Sequence, residues 1–369
     1  MPSRAASDDP RLGDVSEGTV LRSILSRTKP ATATIIGPGD DAAVIAAPSG
    51  SVVATTDTLV HGPDFRLAWS SGFDLGWKAA AVNLADVAAM GATPTALLVA
   101  LAVPRDLRLS FVEQLADGFH AACDALAPGC AVVGGDLTVS DVLTIAVTAL
   151  GDLGGVRAVT RSGARPGDVV AIAGEMGLAA QGLGVLFGRF RDGETPIPVD
   201  AAVLTAEERS AIDAQLRPVP PIGLGPVAAV AGATAMMDVS DGLALDAGRM
   251  ADASDVTIAL ERAALGLHPG RALAGERTTP CSRPSRATTC RRASMRSAWS
   301  SPVPGTRCSA TASRSVRSAG TPTVTGTATP ATELGSEPRA AVLCSRCPFR
   351  FSRELARHFF AGATRIRAA

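Results

Sequence analysis

Carboxylates recur in this sequence beside glycines and hydroxyls. Asp40 and Asp41 lie in GPGDDAAV, Asp57 in TTDTL, Asp86 in NLADVAAMGA and Asp136 in GGDLT, while Asp238 and Asp241 share DVSDGLALD. A strand end followed by Gly and Asp presents a carboxylate at the edge of a sheet, where ligands commonly bind. Clustered carboxylates with hydroxyl neighbours suit Mg²⁺, a hard cation that takes oxygen ligands, keeps several waters and normally bridges nucleotide phosphates. No GxxxxGK[ST] cradle is present. Lysine occurs only at positions 29 and 78, so neutralising phosphate charge would fall to the metal and to an arginine such as Arg161 in VTRSGARPGD. Taken singly, each Asp reads first as a turn former or a helix N-cap. Asp238 and Asp241 could together be one capped helix start, and Asp86 could face solvent beside Asn83, Val87 and Met90. Only the joint pattern is specific.

Positioning these carboxylates takes alternating strands and helices, and the sequence supplies both. Residues 1–16 are polar and read as disordered, and 20–28 read as a short amphipathic helix. Residues 51–57 are rich in β-branched types and read as a strand. An Ala/Leu-rich helix follows over 74–92, closed by Gly91 as a C-cap. A strand over 95–104 ends at a proline, 110–126 carry helical periodicity, and 130–136 and 142–151 are strands. A turn and strand at 165–174 look like the start of a second unit. A helix over 177–188 follows, and 226–254 give a helix, a short strand, an acidic turn and another helix. The body is therefore mixed α and β in two halves, the first ending near residue 151.

The 369 residues carry no net formal charge, but that sum hides a split. Residues 1–276 hold 32 acids against 19 Lys and Arg, a net of −13. Residues 277–369 hold 3 acids against 16 Arg, a net of +13. Cys123 and Cys130 lie in the body and the other five cysteines follow residue 280, so the body has no disulfide framework and suits a reducing cytoplasm. Cys344 and Cys347 form a single CxxC without the second pair a zinc site needs. The polar N-terminus lacks the apolar core of a signal peptide. No uninterrupted apolar run reaches the length of a membrane span.

In order along the chain, GPGDDAAV, TTDTLVHGPDF, KAAAVNLADVAAMGATP, VVGGDLT, TRSGARPGD and DVSDGLALD resemble the thiamine-monophosphate kinase family, part of the superfamily that includes aminoimidazole ribonucleotide synthetase. The resemblance covers roughly residues 17–262. It implies an α+β, two-domain fold: an N-terminal α+β ATP-binding and dimerisation domain over 17–151, and a C-terminal α/β domain, incomplete here, over 152–275. It implies that Asp41, Thr55, Thr56, Asp57, Asp86, Asp136 and Asp238 serve Mg²⁺ directly or through water, with Asp241 serving another Mg²⁺. Gly135, Asp136, Arg161 and Ser240 would contact ATP. The implied reaction passes the γ-phosphoryl of ATP to thiamine monophosphate, by positioning and charge stabilisation. Asp41, Asp57, Asp86, Asp136 and Asp238 would carry the catalysis. The family often has a His just before the position of Phe65; here Asp64 stands there, with His61 three residues earlier, and either could meet the substrate. A related superfamily enzyme with another phosphate acceptor is the nearest alternative.

The segment GERTTPCSRPSRATTCRR (275–292) breaks the pattern. From Arg277 to Thr332 there are nine Arg and no Asp or Glu. The family carries a Gly-Gly-Glu-Asp motif at about this place. Residues 274–281 back-translate into GC-rich codons (GCG GGG GAG AGG ACC ACG CCC TGC). Restoring one base after GCG GG makes these read Ala-Gly-Gly-Glu-Asp-His-Ala-Leu. Residues 276–369 are accordingly read as an out-of-frame, disordered tail. The rival is a genuine basic tail that binds nucleic acid. It explains the composition but not the missing motif. The overall expectation is a cytoplasmic, homodimeric enzyme with no nucleic-acid or membrane partner.

Overall fold

A computed structural model describes residues 9–38 and 42–260, together with the strands Ala340–Cys344 and Thr364–Arg365. All of these fall in one compact unit of the chain. In chain order the elements are α1 (Glu17–Leu25), β1 (Thr34–Ile36), β2 (Val44–Ile45), β3 (Val52–Val60), α2 (Gly72–Ala89), β4 (Thr93–Val103), α3 (Leu109–Leu126), β5 (Val132–Val139) and β6 (Thr144–Asp152). They continue with β7 (Val169–Ala173), α4 (Leu178–Arg189), β8 (Arg191–Asp192), β9 (Thr195–Pro196), α5 (Ala206–Leu216), α6 (Leu224–Val230), β10 (Ala235–Asp238), α7 (Leu243–Ser254), β11 (Ala340–Cys344) and β12 (Thr364–Arg365).

The first sheet has the order β3-β6-β4-β5; β6 runs antiparallel to β3 and β4, and β4 is parallel to β5. Period-two alternation decides its faces. In β6 Ile145, Val147 and Ala149 are buried under the helices while the residues between them are not. The covering helices are α2 and α3, whose Leu75, Leu84, Val87, Val112 and Phe119 join Leu97 and Ile145 in the core. These helices approach closely because each presents a glycine to the other's backbone. A Cβ on Gly76 would lie 2.0 Å from the Leu115 carbonyl oxygen, and one on Gly118 2.2 Å from that of Phe73. Ser71 and Asp74 start α2 with a capping box. Gly91 follows the C-cap Met90 with φ +81°, a conformation only glycine adopts freely.

The second sheet has the order β10-β11-β7-β12, with β10, β11 and β7 parallel. Leu243, Ala247 and Met250 of α7 pack against Val170, Ala235 and Met237 of this sheet. Two of its strands fall within the stretch read from sequence as a disordered tail. Ala340–Cys344 is an apolar run of the length and type that a central parallel strand takes. The proposed frame change near Gly275 and the rest of 276–369 lie outside the described residues.

Several elements differ from the sequence reading. Helix α1 starts at Glu17 rather than near residue 20, because the Ser16 side chain caps it through the Thr19 N–H. Helix α5 was not foreseen, although Thr205 and Glu208 form a capping box readable in TAEE. The pairs β1–β2 and β8–β9 are two to three residues long, too short for a periodic signal.

Candidate metal and nucleotide site

The carboxylates meet where β3 passes over α2 and the end of β10 arrives beside them. On β3, Thr55 and Asp57 lie at period-two spacing with Val53 and Leu59, which pack on the core. They therefore share the face turned to α2. The Thr55 hydroxyl donates to Asp86 Oδ2 at 3.1 Å. The Asp57 backbone N–H donates to Asn83 Oδ1 at 3.0 Å, and Asn83 Nδ2 donates to the Ala79 carbonyl at 2.9 Å. Asn83 and Asp86 lie three residues apart on α2, on one helix face. Asn83 is buried and fixes β3 to the helix; Asp86 is half-buried.

Burial is the main reason the Asp86 carboxyl is pushed up to about 7. The charges of Asp238 and Asp57 push it the same way, while the Thr55 hydrogen bond and the Arg161 charge oppose them. Asp57, Asp238 and Arg161 thus lie within electrostatic reach of Asp86.

Two turns bring the residues from the second half. Asp238 ends β10, and the turn after it is pinned by Asp246, which is fully buried in the first turn of α7. Asp246 Oδ2 accepts the backbone N–H groups of Ser240 and Asp241, each at 3.0 Å. The Arg161 turn is pinned by Ser254, at the end of α7. Its hydroxyl donates to the Arg161 carbonyl at 3.0 Å and accepts the N–H groups of Gly163 and Ala164, each at 3.2 Å. Gly163 has φ +136°, and a Cβ there would lie 2.3 Å from the Thr234 carbonyl oxygen.

Asp136, Gly135 and Thr56 are placed apart from this group. Thr56 pairs with Thr148 across β3 and β6 and turns to the open face of the sheet, away from α2. Asp136 aligns with Ala100, Ala146 and Thr58 on that same open face. Three strand spacings separate it from β3, about 14 Å. It lines a cleft of about 760 Å³ with Leu98, Leu150 and Ile24. Gly135 has a structural reason to be glycine, since a Cβ there would lie 1.9 Å from the Val99 carbonyl oxygen. Asp64 Oδ2 accepts the Val60 N–H at 2.9 Å inside its own turn, and the His61 ring stacks on Phe65 with centroids 5.5 Å apart. Asp41 lies outside the described residues. Among the described residues, no three His, Cys, Asp or Glu close into a metal cage.

Asn83, Asp246, Arg249 and Ser254 had no assigned role in the sequence reading. Asn83 was detectable from its spacing to Asp86, and Asp246 as the last residue of DVSDGLALD. Nothing in the local sequence marks Arg249 or Ser254.

A sheet that carries hydroxyls and carboxylates over two helices, joined to a parallel sheet whose strand end adds Asp238, places the chain in the AIR synthase class. The family described as "AIR synthase related protein, N-terminal domain" matches residues 39–153. Within that class the chain belongs to the thiamine-monophosphate kinase family. It is 41% identical over 261 residues to the thiamine-monophosphate kinase of Mycobacterium tuberculosis (strain CDC 1551 / Oshkosh), covering 70% of this chain and 73% of that protein. The solved thiamine-monophosphate kinase of Stenotrophomonas maltophilia K279a superposes with a TM-score of 0.55 at 33% identity, over 69% of this chain and 80% of that one. A structure of AaThiL complexed with AMPPCP and TMP gives 0.50 at 32% identity, over 67% and 73% of the two chains.

Proposed function

We propose that this chain transfers the γ-phosphoryl group of ATP to the phosphate of thiamine monophosphate, giving ADP and thiamine diphosphate. The carrying observation is the gathering of Asp57, Asp86 and Asp238 with Arg161, in a chain 41% identical to a thiamine-monophosphate kinase. The relative solved with AMPPCP and TMP supports both substrates. No described helix is long and apolar enough to cross a membrane, and we place the enzyme in the cytoplasm.

The donors fit Mg²⁺. They are carboxylate and hydroxyl oxygens, and burial followed by the charges of Asp238 and Asp57 raises Asp86. A site that the protein leaves partly open suits a cation that keeps waters and takes phosphate oxygens as ligands. We assign Asp41, Thr55, Thr56, Asp57, Asp86, Asp136, Asp238 and Asp241 to Mg²⁺, directly or through water. Gly135, Asp136, Arg161 and Ser240 go to ATP, and the turn of His61 and Asp64 to the thiamine side. Mg²⁺ bound there would offset the repulsion between two anionic phosphates and the charge growing on the transferred group. Arg161 adds a cation on the same side, held by the Ser254 hydroxyl at its carbonyl. The acceptor phosphate oxygen is already ionised, so the carboxylates position and no strong base is required. The acceptor oxygen bonds to the γ-phosphorus as the bond to the β-phosphate bridging oxygen breaks, and ADP leaves.

We propose a homodimer in which a second copy covers the open face of the sheet, the face that carries Thr56 and Asp136. We take 17–151 as the ATP-binding and dimerisation domain and 152–275 as an incomplete second domain. Without Gly-Gly-Glu-Asp, the chain is expected to turn over weakly. The test compares the 369-residue chain with a version carrying the restored base, using Mg·ATP and thiamine monophosphate and chromatographic detection of thiamine diphosphate. Product from the restored chain and little from the other supports both readings. Robust turnover by the 369-residue chain overturns the impairment, and no product from either overturns the kinase.

A further inference from the structure

Asp241 is not turned to the carboxylate cluster in this structure. Its Oδ2 lies 2.7 Å from Arg249 Nη1, and the same nitrogen lies 2.7 Å from Asp246 Oδ1. One guanidinium N–H group therefore spans two carboxylates of different freedom. Asp246 is fully buried and holds two backbone N–H groups with its other oxygen. Asp241 is 39% exposed, and Arg249 41%. The carboxylates that act on Asp86 are Asp238 and Asp57. Asp246 is thus the fixed end of the bridge and Asp241 the movable end. A carboxylate cannot give the same oxygen fully to a guanidinium and to a divalent cation, because both compete for its lone pairs.

We propose that Arg249 is a positioning residue that holds Asp241 out of the metal ligand set, so that Asp241 joins it only by exchanging the guanidinium for a cation. Arg249 then sets the affinity of the nucleotide-free protein for divalent metal. The buried Asp246 keeps the turn in place while Asp241 swings. This deepens the metal–nucleotide reading of the same site and rests on it. A partly exposed ion pair is worth up to about 1 kcal/mol, roughly a fivefold change in an equilibrium constant.

The experiment measures Mn²⁺ binding to the full chain without nucleotide, by electron paramagnetic resonance, in the parent and in Arg249→Gln, Arg249→Lys, Asp241→Asn and the double variant Asp241→Asn/Arg249→Gln. Glutamine keeps an N–H donor for Asp246 and removes the charge. Arg249→Gln is expected to bind Mn²⁺ about three- to fivefold more tightly, and Arg249→Lys to stay near the parent. Asp241→Asn alone is expected to change affinity less than about twofold, and in the double variant to cancel the gain. No gain in Arg249→Gln, or a gain that survives in the double variant, overturns the proposal. If Arg249→Gln does not fold, Asp241→Asn still decides, because a loss near tenfold would show that Asp241 already ligates. A parent chain that binds no Mn²⁺ would instead overturn the metal reading of the site itself.

Discussion

Replacing Asp86 by Asn should stabilise the metal-free protein at alkaline pH while destroying its response to Mg²⁺. The carboxyl is raised from 3.8 to about 7, chiefly by burial and then by Asp238 and Asp57. In the folded protein it holds its proton where the unfolded chain has lost it. Below pH 3.8 the group is protonated in both states and costs nothing. As pH rises from 3.8 toward 7 the unfolded chain ionises first and stability drains away; above 7 the full cost of the buried charge is present. Three pK units correspond to about 4 kcal/mol, and solvent reaching a half-buried group reduces that to about 2 kcal/mol. Asn keeps an oxygen for the Thr55 hydroxyl, 3.1 Å from the present carboxylate. The variant should therefore melt about 5 °C above the parent at pH 8, with the gap reduced to about a quarter of that at pH 4.5. Differential scanning fluorimetry across this range tests it. Millimolar Mg²⁺ at pH 8 should raise the melting point of the parent and leave Asp86→Asn unmoved. An Asn variant less stable than the parent at pH 8, or a gap independent of pH, would refute the reading of Asp86 as a carboxyl raised by burial and its neighbours.

Three further outcomes follow from the supporting contacts. Gly76→Ala drives a methyl group against the Leu115 carbonyl, 2.0 Å away, and should cost about 3 kcal/mol in urea unfolding by forcing α2 from α3. Ser254→Ala removes the acceptor for Gly163 and Ala164 and the donor to Arg161; it should cost about 1–2 kcal/mol and raise the KM for ATP. Arg161→Gln should raise that KM about tenfold, the worth of a charge-assisted contact to phosphate, with little change in the melting point of the free protein.

The motifs were legible because chemistry confines them to strand ends and turns. β3 was legible from its β-branched residues, α2 from its Ala/Leu-rich run closed by Gly91, and α3 from its helical periodicity. What escaped depends on pairing. The sequence puts Asp57 and Asp136 in similar settings, each in a strand beside small or hydroxyl residues. Only the register of four strands separates them. Asp57 falls in phase with Val53 and Leu59 on the helix face, while Asp136 falls on the open face, in line with Thr58. Since a side chain's face depends on position parity, one residue of register would reverse the assignment. Arg249 was invisible for a related reason. Its two partners lie three and eight positions earlier, and only the helix after DVSDG brings it back over the turn.

Backbone and side-chain amides fix where the carboxylates of this site sit. Asn83 ties β3 to α2 through the Asp57 backbone N–H, which leaves the Asp57 carboxyl beside Asp86. Asp246 takes up the amides of Ser240 and Asp241 and engages Arg249, the nearest guanidinium of α7. The Arg161 charge opposes those of Asp238 and Asp57 at Asp86. At Asp86 burial and the carboxylates of Asp238 and Asp57 outweigh the Arg161 charge, so a cation arriving with the nucleotide would favour the ionised form of Asp86.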